Sequence, residues 1–386
     1  MKATTLPLYF LFISFFVSAI LSIGRDDKIL YYLFSVIGLS GILFTISFVK
    51  SKTFLKFNSL DAIFLISIFS LIGLGVLFRF EPMGIVLLLL FLSFVYYFKI
   101  IKLSVVQFLK VVNITYLIYL LLSIISYSGL ILAQDPDTLN SFFKDYGFIS
   151  FETLYGLEGS TASIDSYSGL IILLNLFLNI RRTKYLIITI ALFALLWTTR
   201  FTPIIMFFFS VISYAVVRNR FVAVFALSSI FIAFFSFSFL EIFYPNETFF
   251  IKDIPNSIIL HIATHGRTFI WSEQLQSITN NFSSLDFLIG NYKHAEVLIP
   301  WGEGSTGNSH NSFLHLFFRI GISAIFMIIF FIRKVFYNFD RRTFPIIFGI
   351  FLSATTNGTI FYVGNPVFLL VLIYLAYFYK DYNIIK

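Results

Sequence analysis

His310 and Asn311 are the residues of this chain whose type and position best suit chemistry. They stand where a polar stretch runs into an apolar helix, so the imidazole is carried on a rigid element. Ser309 or Asn308 is expected to cap that helix. The first turn of a helix favours anions, and a neutral imidazole with an ordinary pKa near 6.5 can act as a general base. The competing reading is an interfacial histidine satisfied by water or backbone. Arg267, in His-Gly-Arg-Thr-Phe-Ile-Trp, presents a planar fork suited to phosphate; otherwise it is a surface arginine paired with Glu273. Trp271 lies one helical turn on and can stack on a sugar or anchor at a membrane interface. Arg319 lies nine residues past His310, about 13 Å deeper along a continuous helix. It is a candidate substrate contact or a structural partner of His315, four residues before it on the same face. Arg200, in Leu-Leu-Trp-Thr-Thr-Arg, occupies a short turn at the membrane surface.

All of these except Arg200 fall between His261 and Gly321, a polar stretch that also holds all five histidines. His261 and His265 have i, i+4 spacing but lack the glutamate of a His-Glu-x-x-His site and a clear third ligand, so no metal is expected. The chain has no cysteine, which removes disulfides, thiol nucleophiles and cysteine-based zinc sites. It also lacks a P-loop, a dinucleotide fingerprint and a Ser elbow. Asp135-Pro-Asp137 reads as a turn. No cofactor and no nucleic-acid partner is expected.

The elements that carry these residues are apolar helices. Of 386 residues, 59% are hydrophobic and only 12% charged. That is too apolar for a soluble domain, where about a quarter of residues are charged, so the lipid bilayer is the expected solvent. The 54 phenylalanines read as lipid-facing bulk. Apolar runs fall at 6–24, 29–49, 62–78, 83–98, 111–133, 164–180, 185–199, 202–217, 221–240, 312–332, 344–357 and 359–379. Each approaches the length that spans a bilayer. The first 23 residues read as a retained first helix rather than a cleaved leader.

Basic residues set the orientation. With the N-terminus inside, the inner segments hold 18 of the 27 Lys and Arg residues but only three acids, Asp61, Asp340 and Asp381. The outer side holds 9 basic and 16 acidic residues. Both termini are then cytoplasmic. The expectation is an all-α polytopic membrane protein of about twelve transmembrane helices, forming a single integral membrane domain over 1–386. One large outer loop covers 241–311, between helices nine and ten, and a second, acidic one covers 134–163. Within the large loop, Arg267 to Thr279 is expected to form an amphipathic helix, with Phe269, Ile270, Leu275 and Ile278 against the bilayer surface or the bundle.

This pattern resembles the O-antigen polymerase and ligase superfamily. The resemblance rests on a Gly-Arg-x3-Trp element (Gly266, Arg267, Trp271) in a large late outer loop and on His-Asn-x2-Leu-x6-Gly (His310, Asn311, Leu314, Gly321) leading into the next helix. Thr198 to Arg200 is similar to the family's Ser-Arg turn, with Thr199 in place of the serine. Leu154 to Leu170 is similar to the Gly-rich approach to the sixth helix. The resemblance implies metal-independent, inverting glycosyl transfer on the periplasmic face of a bacterial inner membrane, from an undecaprenyl-pyrophosphate-linked oligosaccharide. It implies His310 as base and Arg267 as the catalytic cation. Arg200, Asn311, Trp271 and Arg319 would contact pyrophosphate or sugar. Trp301, Tyr292, Glu158 and Asp165 are looser candidates for holding sugars. A repeat-unit polymerase is favoured over a ligase acting on lipid A–core, because Asn308 stands where the ligases more often carry a second histidine. A chain-length regulator and a flippase are the implied partners. A transporter would call for mid-membrane charges and related halves, and the chain has few of the first and no repeat.

Overall fold

The computed structural model describes residues 5–21, 59–79, 83–101, 103–127, 143–145, 150–152, 161–198, 202–264, 266–298, 305–306, 310–356 and 366–380. The second apolar run, 29–49, lies outside them, as does most of the 134–163 loop. So do Glu158, Thr199, Arg200, His265, Trp301, Asn308 and Ser309.

The described chain is all-α. Its helices are α1 (Leu6–Leu21), α2 (Ser59–Arg79), α3 (Met83–Ile100), α4 (Val105–Tyr127), α5 (Thr161–Leu178), α6 (Thr183–Thr198), α7 (Thr202–Val216) and α8 (Arg220–Phe243). After them come α9 (Asn256–Thr264), α10 (Arg267–Asn281), α11 (Ser284–Ile289) and a 3-10 turn at Tyr292–Ala295. The chain then forms α12 (Ser312–Ile320), α13 (Ile322–Tyr337), α14 (Phe344–Thr356) and α15 (Pro366–Lys380). Two short antiparallel pairs complete it: β1 (Phe143–Asp145) with β2 (Ser150–Glu152), and β3 (Val297–Leu298) with β4 (Ser305–Thr306).

Among the described residues, helices stand at the apolar runs of the sequence, the last described only from Pro366, with one correction. The run at 312–332 is not one helix: Gly321 ends α12 and starts α13. Two described helices, Val105–Ile125 and Arg220–Phe243, are long and apolar enough to cross a membrane; several others are apolar but shorter.

Helices α5, α14 and α15 are enclosed, with their described side chains buried almost all round. A helix that is apolar on every side must be surrounded. Polar groups pin the α4–α5 contact. Asn113 and Asn175 exchange amide hydrogen bonds at 2.9 and 2.8 Å, and the Tyr116 and Ser168 hydroxyls meet at 2.8 Å. Asn175 is fully buried and Asn113 partly so, and such a pair fixes helix register, because slippage orphans the buried amide. Aromatic contacts close the other seams: Tyr377 of α15 stacks on Phe108 of α4 at 4.4 Å and meets Phe98 of α3 edge-on at 5.4 Å.

The outer helices α6, α7 and α8 instead expose large apolar side chains, among them Phe193, Phe208, Phe225 and Ile232. Helix α8 also supports the polar stretch, packing against α9, α10, α13 and α14. Phe231 of α8, Phe313 of α12 and Phe351 of α14 form a mutual aromatic triangle with centroids 4.9 to 6.1 Å apart. That triangle fixes where α12 begins.

Candidate functional site

The start of α12 is built by Asn311, not by Ser309 or Asn308 as the sequence suggested. Asn311 has extended backbone (φ −140°), and its Oδ1 accepts the amides of Phe313 and Leu314, each at 3.0 Å. Its side chain is therefore the helix cap. Two first-turn donors are thereby used internally, which leaves less of the helix end for an outside anion. Asn311 is 1% exposed, and its Nδ2 has no hydrogen-bond partner among the described residues. The residue borders an apolar cavity of about 360 Å3, lined with Phe231, Leu275, Phe313 and Ile325.

His310, one residue earlier, is half-buried and has φ +45°. A non-glycine residue in the left-handed region is uncommon, and such strain concentrates at functional positions. The cap that follows holds it there: α12 starts at Asn311, whose carbonyl accepts the His315 amide at 2.9 Å.

Arg319 takes its structural alternative. Its Nε donates to His315 Nε2 at 3.0 Å, and its guanidinium lies 4.1 Å above the Tyr292 ring. Tyr292 meets the His315 ring edge-on at 5.2 Å. A nitrogen that accepts from arginine carries no proton, so His315 is a neutral imidazole protonated on Nδ1. Arg319 thus joins α12 to the 3-10 turn, and it sits in the last turn of a short helix rather than midway along a long one.

Arg267 opens α10, just after Gly266, whose φ of +74° turns the chain out of α9. The expected helix at Arg267 to Thr279 is present, and it packs on the bundle. Ile270 is buried, and Leu275 and Ile278 are partly buried against the core clusters. Trp271 does not present a face for a sugar. It is 5% exposed, lies 5.0 Å from the Phe234 ring, and clusters with Ala295, Leu314 and Phe318. Burying an indole this way contributes far more to holding α10 than to reading a ligand. Gln274 donates to the Ala295 carbonyl at 2.6 Å and Ser277 to that of His294 at 3.0 Å, fastening α10 to the 3-10 turn. Arg267 and His310 each lie one helical turn before a member of that cluster, Trp271 and Leu314 respectively. Asp165 is buried in α5, where it accepts from the Ser166 hydroxyl at 2.9 Å.

A second polar centre in the loop escaped the sequence reading. Asp286 of α11 pairs with Arg79 at the end of α2, 207 residues away. Ser283 caps α11 reciprocally: its hydroxyl accepts the Asp286 amide at 3.1 Å, and its own amide donates to the carboxylate at 3.0 Å. The Ser283 hydroxyl and Asn291 Nδ2 also reach the carboxylate, at 2.7 and 2.9 Å. Burial pushes the Asp286 carboxyl up, but the bonds from Ser283 and Asn291 and the charge of Arg79 outweigh it, so it sits below the usual carboxylate value. The signal was present as Ser-x-x-Asp before an apolar run, a capping-box pattern.

Beside it, two glycines bring backbones into contact. A Cβ at Gly290 would lie 2.6 Å from the Arg319 carbonyl carbon, and one at Gly321 would lie 2.6 Å from the Leu288 carbonyl. The end of α11 is thus seated in the break between α12 and α13. Among the described residues no group of three or more His, Cys, Asp or Glu gathers as a metal site would require. Comparison with protein-family models gives no match, and no curated protein matches the chain.

Proposed function

We propose that this chain is a membrane glycosyltransferase that polymerises undecaprenyl-pyrophosphate-linked oligosaccharide repeats into O-antigen or a related surface polysaccharide. In this reading about twelve segments span a bacterial inner membrane, both termini are cytoplasmic, and the 241–311 loop faces the periplasm. The observation that carries it is the strained His310, held at φ +45° by the Asn311 cap at the mouth of α12.

The chemistry follows from the demands of the reaction. A sugar hydroxyl is a poor nucleophile until its proton is removed, and His310 takes that proton as the oxygen attacks the anomeric carbon. The bond from that carbon to the lipid pyrophosphate breaks in the same displacement, inverting the centre without a covalent enzyme intermediate. Negative charge builds on the departing pyrophosphate, and Arg267 and Arg200 offset it. In this reading the two guanidinium groups supply the positive charge at the leaving group, and the transfer is metal-independent.

His310→Ala leaves the Asn311 cap in place. It should abolish polymer, a loss of about 10²–10⁴-fold where a general base is removed, while protein level and membrane insertion stay normal. Polymer of normal length from that variant would sink the mechanism. A lipopolysaccharide gel of a deletion strain should show core bearing a single repeat. Bare core with polymer left on the carrier lipid would assign a ligase instead.

A further inference from the structure

Between the end of α8 and the start of α10, the chain holds apolar side chains outward on a rigid frame. Asn256 is fully buried and organises it: its Oδ1 accepts the Phe249 amide at 3.0 Å, and its Nδ2 donates to the Tyr244 carbonyl at 3.2 Å. Its own amide donates to the Glu247 carbonyl at 2.8 Å, and the Ser257 amide to that of Pro245 at 3.0 Å. A tight turn through Lys252 and Asp253 pairs Ile251 with Ile254, with Asp253 at φ +64°.

From this frame Phe249, Phe250, Ile251 and Ile254 point away from the protein, Phe249 being 60% exposed. Helix α9 continues the surface. Leu260 turns inward, while Ile258 and Ile262, four residues apart on one face, turn outward, the latter 69% exposed. A loop surrounded by water does not spend a hydrogen-bonded scaffold on presenting six large apolar side chains together. The patch is continuous along the chain with the exposed apolar face of α8, where Ile232, Phe239 and Phe243 stand outward on a helix long and apolar enough to cross a membrane.

We propose that Phe249 to Ile262 is an interfacial anchor whose partner is the bilayer surface at the outer end of α8. Phe249, Phe250, Ile251, Ile254, Ile258 and Ile262 enter the boundary between headgroups and acyl chains, as an amphipathic segment lying in the interface plane does. Lys252 and Asp253 at the turn stay at headgroup level, one facing phosphate and the other amine groups, with the lysine stem covering apolar surface. The inference rests on the membrane reading above and deepens it. Arg267 begins α10 three residues after α9 ends. An anchored α9 therefore sets the guanidinium at the height of lipid phosphates, where a lipid-linked pyrophosphate also lies.

The cysteine-free sequence makes the test direct. Single variants Phe250→Cys, Ile258→Cys and Ile262→Cys, each carrying bimane, are placed in vesicles of phosphatidylethanolamine and phosphatidylglycerol with brominated acyl chains. Each label should lose most of its fluorescence relative to unbrominated lipid and respond little to aqueous iodide. Glu273→Cys, on the exposed side of α10, should show the reverse. Ile232→Cys, midway along α8, reports the membrane reading independently. Quenching by brominated lipid at 232 with iodide quenching at 258 and 262 overturns the anchor and leaves the spanning helix intact. Labels at 258 and 262 shielded from both quenchers show a protein surface covering the patch, a second copy included, and also overturn it. Absence of lipid quenching at all positions overturns both readings.

Discussion

At the scale of single residues, Asp286 is the best-connected acid described in the loop. It accepts from Ser283, Asn291 and Arg79, and the balance of these against burial leaves its pKa lowered. A carboxylate with a folded value below its unfolded one, about 3.9, stabilises the fold above that value. The contribution disappears as pH falls through the folded value. Wild-type protein in detergent should therefore lose more thermal stability between about pH 5 and pH 3 than Asp286→Asn does. Equal losses would show that the carboxylate is not linked to folding. The Arg79 side chain is 35% exposed, so the ion pair itself contributes at most about 1 kcal/mol; the bonds from Ser283 and Asn291 dominate. Residue types in the sequence pointed to His310 and Arg267. They did not reveal that Asn311 would act as the cap or that Trp271 would be enclosed. Both outcomes depend on what packs opposite, which spacing along one chain does not encode.

Among elements, the break between α12 and α13 is the informative one. Apolar periodicity runs straight through Gly321, and so the sequence read one helix. The cause of the break is tertiary: the Leu288 carbonyl at the end of α11 occupies the space where a Cβ would stand. Gly321 also has φ +56° and ψ −140°, a conformation essentially limited to glycine. Gly321→Ala should destabilise the protein by about 1–3 kcal/mol from backbone strain alone, with further loss from displacement of α11. Thermal unfolding in detergent checks this, and a variant melting with wild type would mean that the break relaxes freely. The remaining helices were legible because each is a long apolar run closed by basic or turn residues. The loop helices were legible only in part. Arg267 to Thr279 announced itself by its stripe, whereas α11 is six residues long and too short for periodicity to register.

At the scale of the whole molecule, the distribution of charge underlies the proposed orientation. The turn between α5 and α6 carries Arg181 and Arg182, with Lys184 in the first turn of α6, and the turn between α13 and α14 carries Arg341 and Arg342. The structure leaves Arg181, Arg182, Arg341 and Arg342 exposed. In the orientation proposed, with these residues on the inner side, single cysteines at Arg182 and Arg342 should react with an impermeant maleimide only after the inner membrane is opened. Cysteines at Lys252 and Lys293, both exposed, should react in cells whose outer membrane alone has been permeabilised. The opposite pattern would invert the topology and put His310 on the wrong side for a lipid-linked oligosaccharide. Charge asymmetry was fully visible in the sequence, since it needs no packing information. The enclosed α5, α14 and α15 were not distinguishable from lipid-facing helices, because a bilayer and a protein interior select similar side chains.

The seat of α11 in the α12–α13 break also bears on how the chain is assembled during synthesis. Gly290 and Gly321 are close in sequence, so the contacts of Gly290 with Arg319 and of Gly321 with Leu288 can close as soon as α12 emerges, before α14 and α15 exist. Arg79 is already waiting at the end of α2 when Asp286 is made. The large loop can therefore be docked early, and α14 completes the mouth when Phe351 closes the triangle with Phe231 and Phe313.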